Sequence, residues 1–356
     1  MENQDPKIID VTVRRGGFLV HNKLLKEQVV DIAKGLRDAG VTYVELSHGR
    51  GVGAKRAGYP ALFSDHDLLE AAQAAAPELK FTAFMSSYPY SLFEAERIQK
   101  FVEWFRLSVD LDEIEKGVEN LKALRKTGGK VMALLERAHR VSPEGCAEAA
   151  KAMEAAGAEA IYLCDNFSSM SGEDVKAYLE AIREAASLPL GFQGYNATGQ
   201  AVGNALAALQ SGAEWLDASL LGLGPSGGMV PLEVFAALLQ RLDKGKSFNL
   251  QRLCRAGRWF ALPAVRRLPA SNALDYLMSG HKLDYYPLDL LEMLAGILEI
   301  TPQALVAELD AQNPKRIRLK ENDIREFLAS HQLDFDVVME FLKTGEIPAQ
   351  EAASPS

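Results

Sequence analysis

The chain contains little cysteine for its length. Its 356 residues include three cysteines, at positions 146, 164 and 254, and no two of them have the CxxC spacing of redox motifs and structural zinc sites. This pattern argues against a disulfide framework and is typical of proteins from a reducing compartment.

The sequence also lacks long apolar runs and clusters of basic residues. No run reaches the roughly 18 apolar residues of a membrane span, and no basic segment followed by an apolar stretch stands at the N-terminus. The net charge is −9, and the lysines and arginines are scattered. We therefore expect a soluble, cytoplasmic protein whose partners are neither membranes nor nucleic acids.

What the chain has instead is a regular alternation of short apolar runs and longer stretches of helical period. Eight apolar runs, from Ile8–Val13 to Trp215–Leu220, are each followed by a helix or helical turn. This size and rhythm predict a (β/α)8 TIM barrel. A doubly wound sheet is the rival, but it usually carries GxGxxG after its first strand, where this chain has RRGGF.

The rhythm also divides the chain into regions. The barrel is expected over residues 1–242, and a polar link, Asp243–Asn249, follows it. Residues 250–345 predict a smaller helical C-terminal domain. The small and polar residues 346–356 predict a disordered tail.

Polar side chains collect where several predicted strands end, which is the face that carries the active site in parallel barrels. They follow or end the first, second, seventh and eighth strands: Arg14, Arg15, Glu45, His48, Gln193, Tyr195, Asn196 and Ser219.

Four segments in the same order resemble the DRE-TIM metallolyases, the superfamily of isopropylmalate synthase and hydroxymethylglutaryl-CoA lyase. They are IIDVTVRRGGF, VTYVELSHGRGVG, AIYLCDNFSSMSGEDV and the stretch that begins GFQGYNATGQ. Within the superfamily, the nearest resemblance is to the 4-hydroxy-2-oxovalerate aldolases. The resemblance implies a divalent metal that stabilises the enolate of a 2-oxo acid, a homodimer, and an aldehyde dehydrogenase-like partner enzyme.

The positions of the family's metal ligands, however, carry other residues here. The resemblance aligns the ligand Asp with Arg15, the His-x-His pair with Gln193 and Tyr195, and a loop Asn with Met229. A guanidinium would repel a divalent cation, so the sequence predicts that the metal is lost and that no cofactor replaces it. The position of the aldolases' general base, a histidine, holds Phe18.

The remaining polar residues are assigned roles on this basis. We predict a catalytic set of Arg14, Glu45, His48 and Tyr195. Substrate binding is predicted for Arg15, Gln193, Asn196, Ser219 and Tyr276, with Tyr285 and Tyr286 as alternatives to the last. Arg15 would replace the metal electrostatically, unless it points outward, as one of two consecutive residues leaving a strand tends to do.

Two further features leave alternatives open. Cys164 is interpreted as a small buried hydrophobic residue rather than a nucleophile. Glu136, Arg137 and His139, after the fifth strand, are either substrate contacts or a solvated loop.

Three functions stay open from the sequence. The favoured one is a metal-independent aldolase or lyase that acts on a small carboxylate or 2-oxo acid, because the replacements still form an anion-binding set. The second is a non-catalytic binding or scaffolding subunit. The third is a metal-dependent aldolase with new ligands such as Glu45, His48 and Asp165.

Overall fold

The computed structural model describes residues 5–281, 288–312 and 321–344. Its centre is a closed barrel of eight parallel strands, each paired with its neighbours in chain order. The strands are β1 Lys7–Asp10, β2 Tyr43–Glu45, β3 Lys80–Met85, β4 Val102–Asp110, β5 Lys130–Glu136, β6 Ala160–Asp165, β7 Leu190–Gly194 and β8 Trp215–Ala218. The predicted (β/α)8 TIM barrel is confirmed.

Helices connect the strands and cover the barrel. They are α1 Thr12–Gly17, α2 Lys26–Asp38, α3 Asp65–Ala75, α4 Pro89–Ile98, α5 Ile114–Lys126, α6 Pro143–Ala155, α7 Gly172–Ala185, α8 Ala201–Gln210 and α9 Leu232–Arg241. Serine side chains begin several of them by accepting a backbone N–H of the first turn, as Ser64, Ser142 and Ser171 do.

The alternation of side chains along each strand separates two environments. In β4, Phe105, Leu107 and Val109 pack in the core shared with the surrounding helices. Trp104, two residues from Arg106, packs among the barrel's interior side chains, where its ring lies 5.7 Å from that of Trp215. Aromatic rings thus fill the N-terminal end of the barrel, and the polar residues lie above them.

The first strand is shorter than predicted, because the chain turns at Asp10. The Asp10 carboxylate accepts hydrogen bonds from the backbone N–H of Thr12 at 3.0 Å and from its hydroxyl at 2.7 Å. The strand expected over Ile8–Val13 therefore ends at Asp10, and helix α1 follows. Arg14 and Arg15 stand on this helix, where neighbouring side chains are about 100° apart, and both point into the barrel.

The helical region after the barrel contributes to two different cores. Helices α10 Leu250–Ala256 and α11 Leu262–Val265, joined by a π-helical turn at Gly257–Ala261, pack on the barrel core. A second apolar core, which includes Met278 and Phe327, is built by α12 Ala273–Gly280, α13 Leu288–Ile297, α14 Pro302–Gln312, α15 Glu321–Ser330 and α16 Phe335–Thr344. The change of core thus falls after Val265, later than the predicted link at 243–249.

Parts of the sequence predictions concern residues outside the described ranges. The tail at 346–356, Tyr285 and Tyr286 all lie there. Within the described ranges, no helix is both long and apolar enough to cross a membrane.

Gly191 provides a test of how tightly the barrel interior is packed. A Cβ atom on this residue would lie 2.4 Å from the ring of Tyr162, whose other contacts include the guanidinium of Arg106, 4.6 Å away. We expect Gly191→Ala to lower the free energy of unfolding by about 1–3 kcal/mol in denaturant titrations.

Gly203→Ala is the matched control, since Gly203 lies in α8 with open space around its Cα. It should leave stability unchanged or raise it by up to about 1 kcal/mol. Equal stabilities of the two variants would contradict the packing described here.

Candidate active site

A cavity of about 520 Å³ opens at the C-terminal ends of the strands. Helix α1, the loops after most strands and one residue of α15 contribute to its wall. The polar and charged residues that line it are Arg14, Arg15, Arg50, Ser86, Ser87, Ser108, Glu136, Arg137, Asn166, Ser226 and Glu321. The aromatic ones are Phe18, Tyr59, Phe84, Tyr88, Tyr90, Phe167 and Tyr195.

Arg106 lies at the centre of a polar network beneath this cavity. One of its terminal nitrogens, Nη1, donates to Glu45 Oε1 at 2.7 Å. The other, Nη2, donates to both carboxylate oxygens of Asp217, at 2.8 and 2.7 Å. All three side chains are completely buried, so each charge depends on the others for compensation.

Arg14 joins the network through Glu45. Its Nη1 donates to Glu45 Oε2 at 3.1 Å, and its guanidinium lies 3.4 Å from the centre of the Phe84 ring. The two contacts fix a buried positive charge at the floor of the cavity.

Arg15 joins the network through Gln193, on the side of Asp217. Its two terminal nitrogens donate to Gln193 Oε1 and to the hydroxyl of Tyr195. Gln193 in turn donates from Nε2 to Asp217 Oδ2 at 2.6 Å. A continuous chain of hydrogen bonds therefore runs from Arg14 to Tyr195, and Arg15 points inward rather than into an outward salt bridge.

The network fixes the charge state of Glu45. Burial alone would raise the pKa of its carboxyl group, but the surrounding guanidinium groups, Arg106 foremost, outweigh burial and lower that pKa. Both oxygens also accept hydrogen bonds from arginines. Glu45 is thus an ionised anchor for Arg14 and Arg106, and this arrangement disfavours the proton-transfer role predicted for it.

His48 does not line the cavity. Its Nδ1 accepts a hydrogen bond from the backbone N–H of Arg50 at 3.0 Å, so Nε2 carries the proton and donates to the carbonyl oxygen of Pro60 at 3.0 Å. Burial lowers the pKa of the imidazole. The predicted catalytic His48 therefore holds the loop after β2 in shape, as a neutral side chain.

Three predicted substrate-binding residues also lie away from the cavity wall. The side-chain oxygen of Asn196 accepts the backbone N–H of Ala201 at the start of α8, at 3.2 Å. The hydroxyl of Ser219 donates to the carbonyl oxygen of Leu223 at 2.8 Å. Tyr276 lies on α12 and is 53% exposed. The predicted residues that do meet at the site are Arg14, Arg15, Glu45, Gln193 and Tyr195.

The sequence left the loop after β5 undecided, and the structure brings part of it into the cavity. Glu136 and Arg137 line the wall, whereas His139 is buried elsewhere. Asn166, after β6, connects the two: its amide nitrogen donates to Glu136 at 2.8 Å, and its oxygen accepts the backbone N–H of Arg137 at 2.7 Å. Cys164 is fully buried, and burial raises its pKa well above the usual value, in agreement with a hydrophobic role.

Arg106 was missed from the sequence. It is the one charged residue within FRLSV, where its neighbours in β4 are apolar or small. A charge in the interior half of an otherwise apolar strand demands a buried partner, and this signal could have identified it.

The donor set does not fit a divalent cation. In the described ranges no group of three His, Cys, Asp or Glu side chains is placed to hold a metal ion. The alternative ligands Glu45, His48 and Asp165 therefore do not form such a group. The guanidinium of Arg15 contacts the two side chains, Gln193 and Tyr195, that align with the family's histidine ligands. A fixed positive charge there opposes cation binding.

Comparisons with known proteins agree with the resemblance. Residues 5–259 match the HMGL-like family. The 4-hydroxy-2-oxovalerate aldolase of Carboxydothermus hydrogenoformans is 32% identical over 263 residues, which cover 73% of this chain and 78% of that protein. The protein of the same name from Chloroflexus aurantiacus is 29% identical over 307 residues, 85% of this chain and 89% of its own.

A solved structure shares the fold. The carboxyl transferase domain of Rhizobium etli pyruvate carboxylase, determined with pyruvate, superposes with a TM-score of 0.73 at 17% identity. The superposition covers 98% of this chain and 64% of that one. At this identity the likeness concerns the fold alone.

Arg106→Met tests the network as a structural unit. Removing the central guanidinium leaves two buried carboxylates without their shared partner, which should cost about 3–5 kcal/mol of unfolding free energy in denaturant titrations. Arg125→Met is the control, because Arg125 pairs with Glu159 at the surface and should cost less than about 1 kcal/mol. Similar losses in the two variants would rule out a central role for Arg106.

Asp10, which holds the turn before α1, should make stability depend on pH. Burial raises the pKa of its carboxyl group from 3.8 to about 7. Between these values the folded protein keeps a proton that the unfolded chain releases, so the stabilisation present below pH 3.8 is lost as the pH rises through about 7. The slope contributed by one such group is at most about 1.4 kcal/mol per pH unit.

The isosteric Asp10→Asn variant removes this titration. We expect its unfolding free energy to fall less than that of the wild type between pH 5 and 8, as measured by denaturation at a series of pH values. Parallel curves for the two proteins would show that Asp10 is not protonated in the folded state.

Proposed function

The chain belongs to the HMGL-like family, and on this premise we propose that it is an aldolase-type carbon–carbon lyase that works without a divalent metal. Its substrate would be a small 4-hydroxy-2-oxo acid, which it cleaves to an aldehyde and a 2-oxo acid such as pyruvate. The names of the relatives at 29–32% identity support this class of substrate.

The observation that carries the proposal is the pair of arginines at the cavity floor. Arg14 and Arg15 are both buried and both line the cavity, and the hydrogen bonds to Glu45, Gln193 and Tyr195 fix their orientation. A 2-oxo acid carries a carboxylate and an adjacent carbonyl oxygen, and two neighbouring guanidinium groups complement this arrangement.

Both arginines keep donors available for a ligand. A guanidinium has five N–H groups. Within the described residues, Arg14 uses one of them on Glu45, and Arg15 uses one each on Gln193 and Tyr195. The Nε atoms of both arginines are buried without a protein partner among these residues, so the donors left for a ligand are on the terminal nitrogens. The available donors support bidentate binding of a carboxylate.

The positive charges of Arg14 and Arg15 also suit the cleavage of the carbon–carbon bond. When the bond between C3 and C4 breaks, its electron pair moves through C2 onto the carbonyl oxygen and forms an enolate. Fixed guanidinium groups stabilise that oxygen as the charge develops, without the reorganisation that water would need. The hydroxyl of Tyr195, which accepts from Arg15, donates a further hydrogen bond to the enolate oxygen in this proposal.

A non-catalytic binding subunit is the second candidate, and one observation favours it. Glu45 and His48, two of the four residues predicted to be catalytic, are engaged in structural hydrogen bonds. On this alternative the arginines bind a small carboxylate that is not turned over. The homodimer, the aldehyde dehydrogenase-like partner and the cytoplasmic location stay predictions of the sequence.

Arg15→Met tests the replacement of a metal by a guanidinium. We expect the wild type to release pyruvate from 4-hydroxy-2-oxo acids, and the variant to lose about 100-fold or more in kcat/KM. It should also bind oxalate, an analogue of the pyruvate enolate, more weakly in calorimetric titrations.

Arg241→Met, at the exposed end of α9, is the control and should match the wild type in both measurements. Unchanged turnover in Arg15→Met would contradict the proposed role of Arg15. Oxalate binding by a wild type that releases no pyruvate would favour the binding subunit instead.

A further inference from the structure

We infer that Glu136 is the proton-transfer residue of this site, which takes the proton of the substrate's 4-hydroxyl group and returns it to C3 of the enolate. The inference rests on the proposed function, because it assigns a step of that reaction. Neither the sequence resemblance nor the catalytic set predicted from it includes Glu136.

The position of Glu136 in the fold directs its side chain into the site. It is the last residue of β5, and Met132 and Leu134, four and two residues before it, pack inside the barrel. Alternation along the strand places Glu136 on the same side, above these two residues and at the C-terminal end. Its side chain lines the cavity, although the residue as a whole is only 5% exposed.

One carboxylate oxygen of Glu136 accepts a hydrogen bond from the protein, and the other is available to a ligand. Oε2 accepts the hydrogen bond from Asn166, whose own oxygen accepts the backbone N–H of Arg137. This second bond fixes the orientation of the Asn166 amide. Among the described residues no side chain or backbone group donates to Oε1, so it can accept a proton from a ligand.

Glu136 lines the same cavity as Arg14 and Arg15. Its charge interacts with those of both Arg14 and Arg15. A ligand whose carboxylate and 2-oxo group bind the two guanidinium groups therefore lies close to this carboxylate. Proton transfer requires such proximity before any question of acidity.

The other carboxylates in or beneath the cavity are less suited to the step. Both oxygens of Glu45 accept from arginines, and those of Asp217 accept from Arg106 and Gln193. In the described ranges, the second carboxylate that lines the cavity belongs to Glu321, which is 63% exposed and paired with Arg325 on the same helix. Glu136 is the buried one.

The reaction balances with Glu136 alone as proton carrier. The carboxylate accepts the hydrogen of the 4-hydroxyl, C4 becomes the aldehyde carbonyl, and the electrons of the C3–C4 bond form the enolate. The neutral Glu136 then gives the same proton to C3, which yields the 2-oxo acid and restores the carboxylate. No oxidant, reductant or additional reactant is needed.

Glu136→Gln in the full-length protein tests the inference, because glutamine keeps the size of the side chain and an oxygen for Asn166 but cannot carry the proton. We expect kcat for pyruvate release to fall by about 100-fold or more. The exchange of pyruvate methyl protons for deuterium in D₂O, followed by NMR, should fall equally. The dissociation constant of oxalate should stay within about threefold of the wild type.

Two further variants control the experiment. Glu180→Gln changes an exposed carboxylate of α7, away from the cavity, and should leave kcat, exchange and oxalate affinity as they are. Glu136→Asp keeps a proton acceptor on a shorter arm and should recover more exchange than Glu136→Gln. This partial recovery separates proton transfer from a structural role.

The outcomes distinguish the inference from the function on which it rests. A wild type that neither releases pyruvate nor exchanges its methyl protons would overturn both. An active wild type with an equally active Glu136→Gln would overturn the role of Glu136 and leave the proposed function standing. Loss of oxalate affinity in parallel with kcat would assign Glu136 to ligand binding and also overturn the inference.

Discussion

Two carboxylates, Glu45 and Asp217, allow three guanidinium groups to be buried inside one barrel. Arg106 spans both of them with three short hydrogen bonds, and the contacts of Arg14 and Arg15 extend from this pairing. A charge removed from water without such partners would cost far more than a folded domain has in reserve. The site is therefore an extension of the barrel's interior and not a set of independent surface residues.

The pairing of Arg106 with Glu45 and Asp217 also explains how Arg15 can be buried at the position of the family's ligand Asp. A guanidinium needs hydrogen-bond acceptors, and Gln193 and Tyr195 provide an amide oxygen and a phenolic oxygen for Arg15. The amide nitrogen of Gln193 is satisfied in turn by Asp217. One exchanged residue would leave a charge without partners, whereas Arg15, Gln193 and Tyr195 together partner one another.

The sequence predicted the barrel well, since eight alternations of apolar runs and helical periods have few other solutions. Its errors came from side chains that act over long separations or turn the backbone. Arg106 stands out locally as the one charge within FRLSV, but its partners lie 61 and 111 positions away, and no local pattern identifies them. Asp10 ends the first strand early through its own carboxylate. His48 stands near a strand end, as predicted, but position along the chain does not fix the direction of its ring.

In the proposed function, fixed guanidinium charges do the work of a divalent cation. Titration of the chelator-treated protein with oxalate, with and without added Mn²⁺ or Mg²⁺, tests this most directly. We expect one oxalate bound per chain without metal, with a dissociation constant that the cations do not change. Oxalate binding that appears only with Mn²⁺ or Mg²⁺, together with one bound cation per chain, would contradict it.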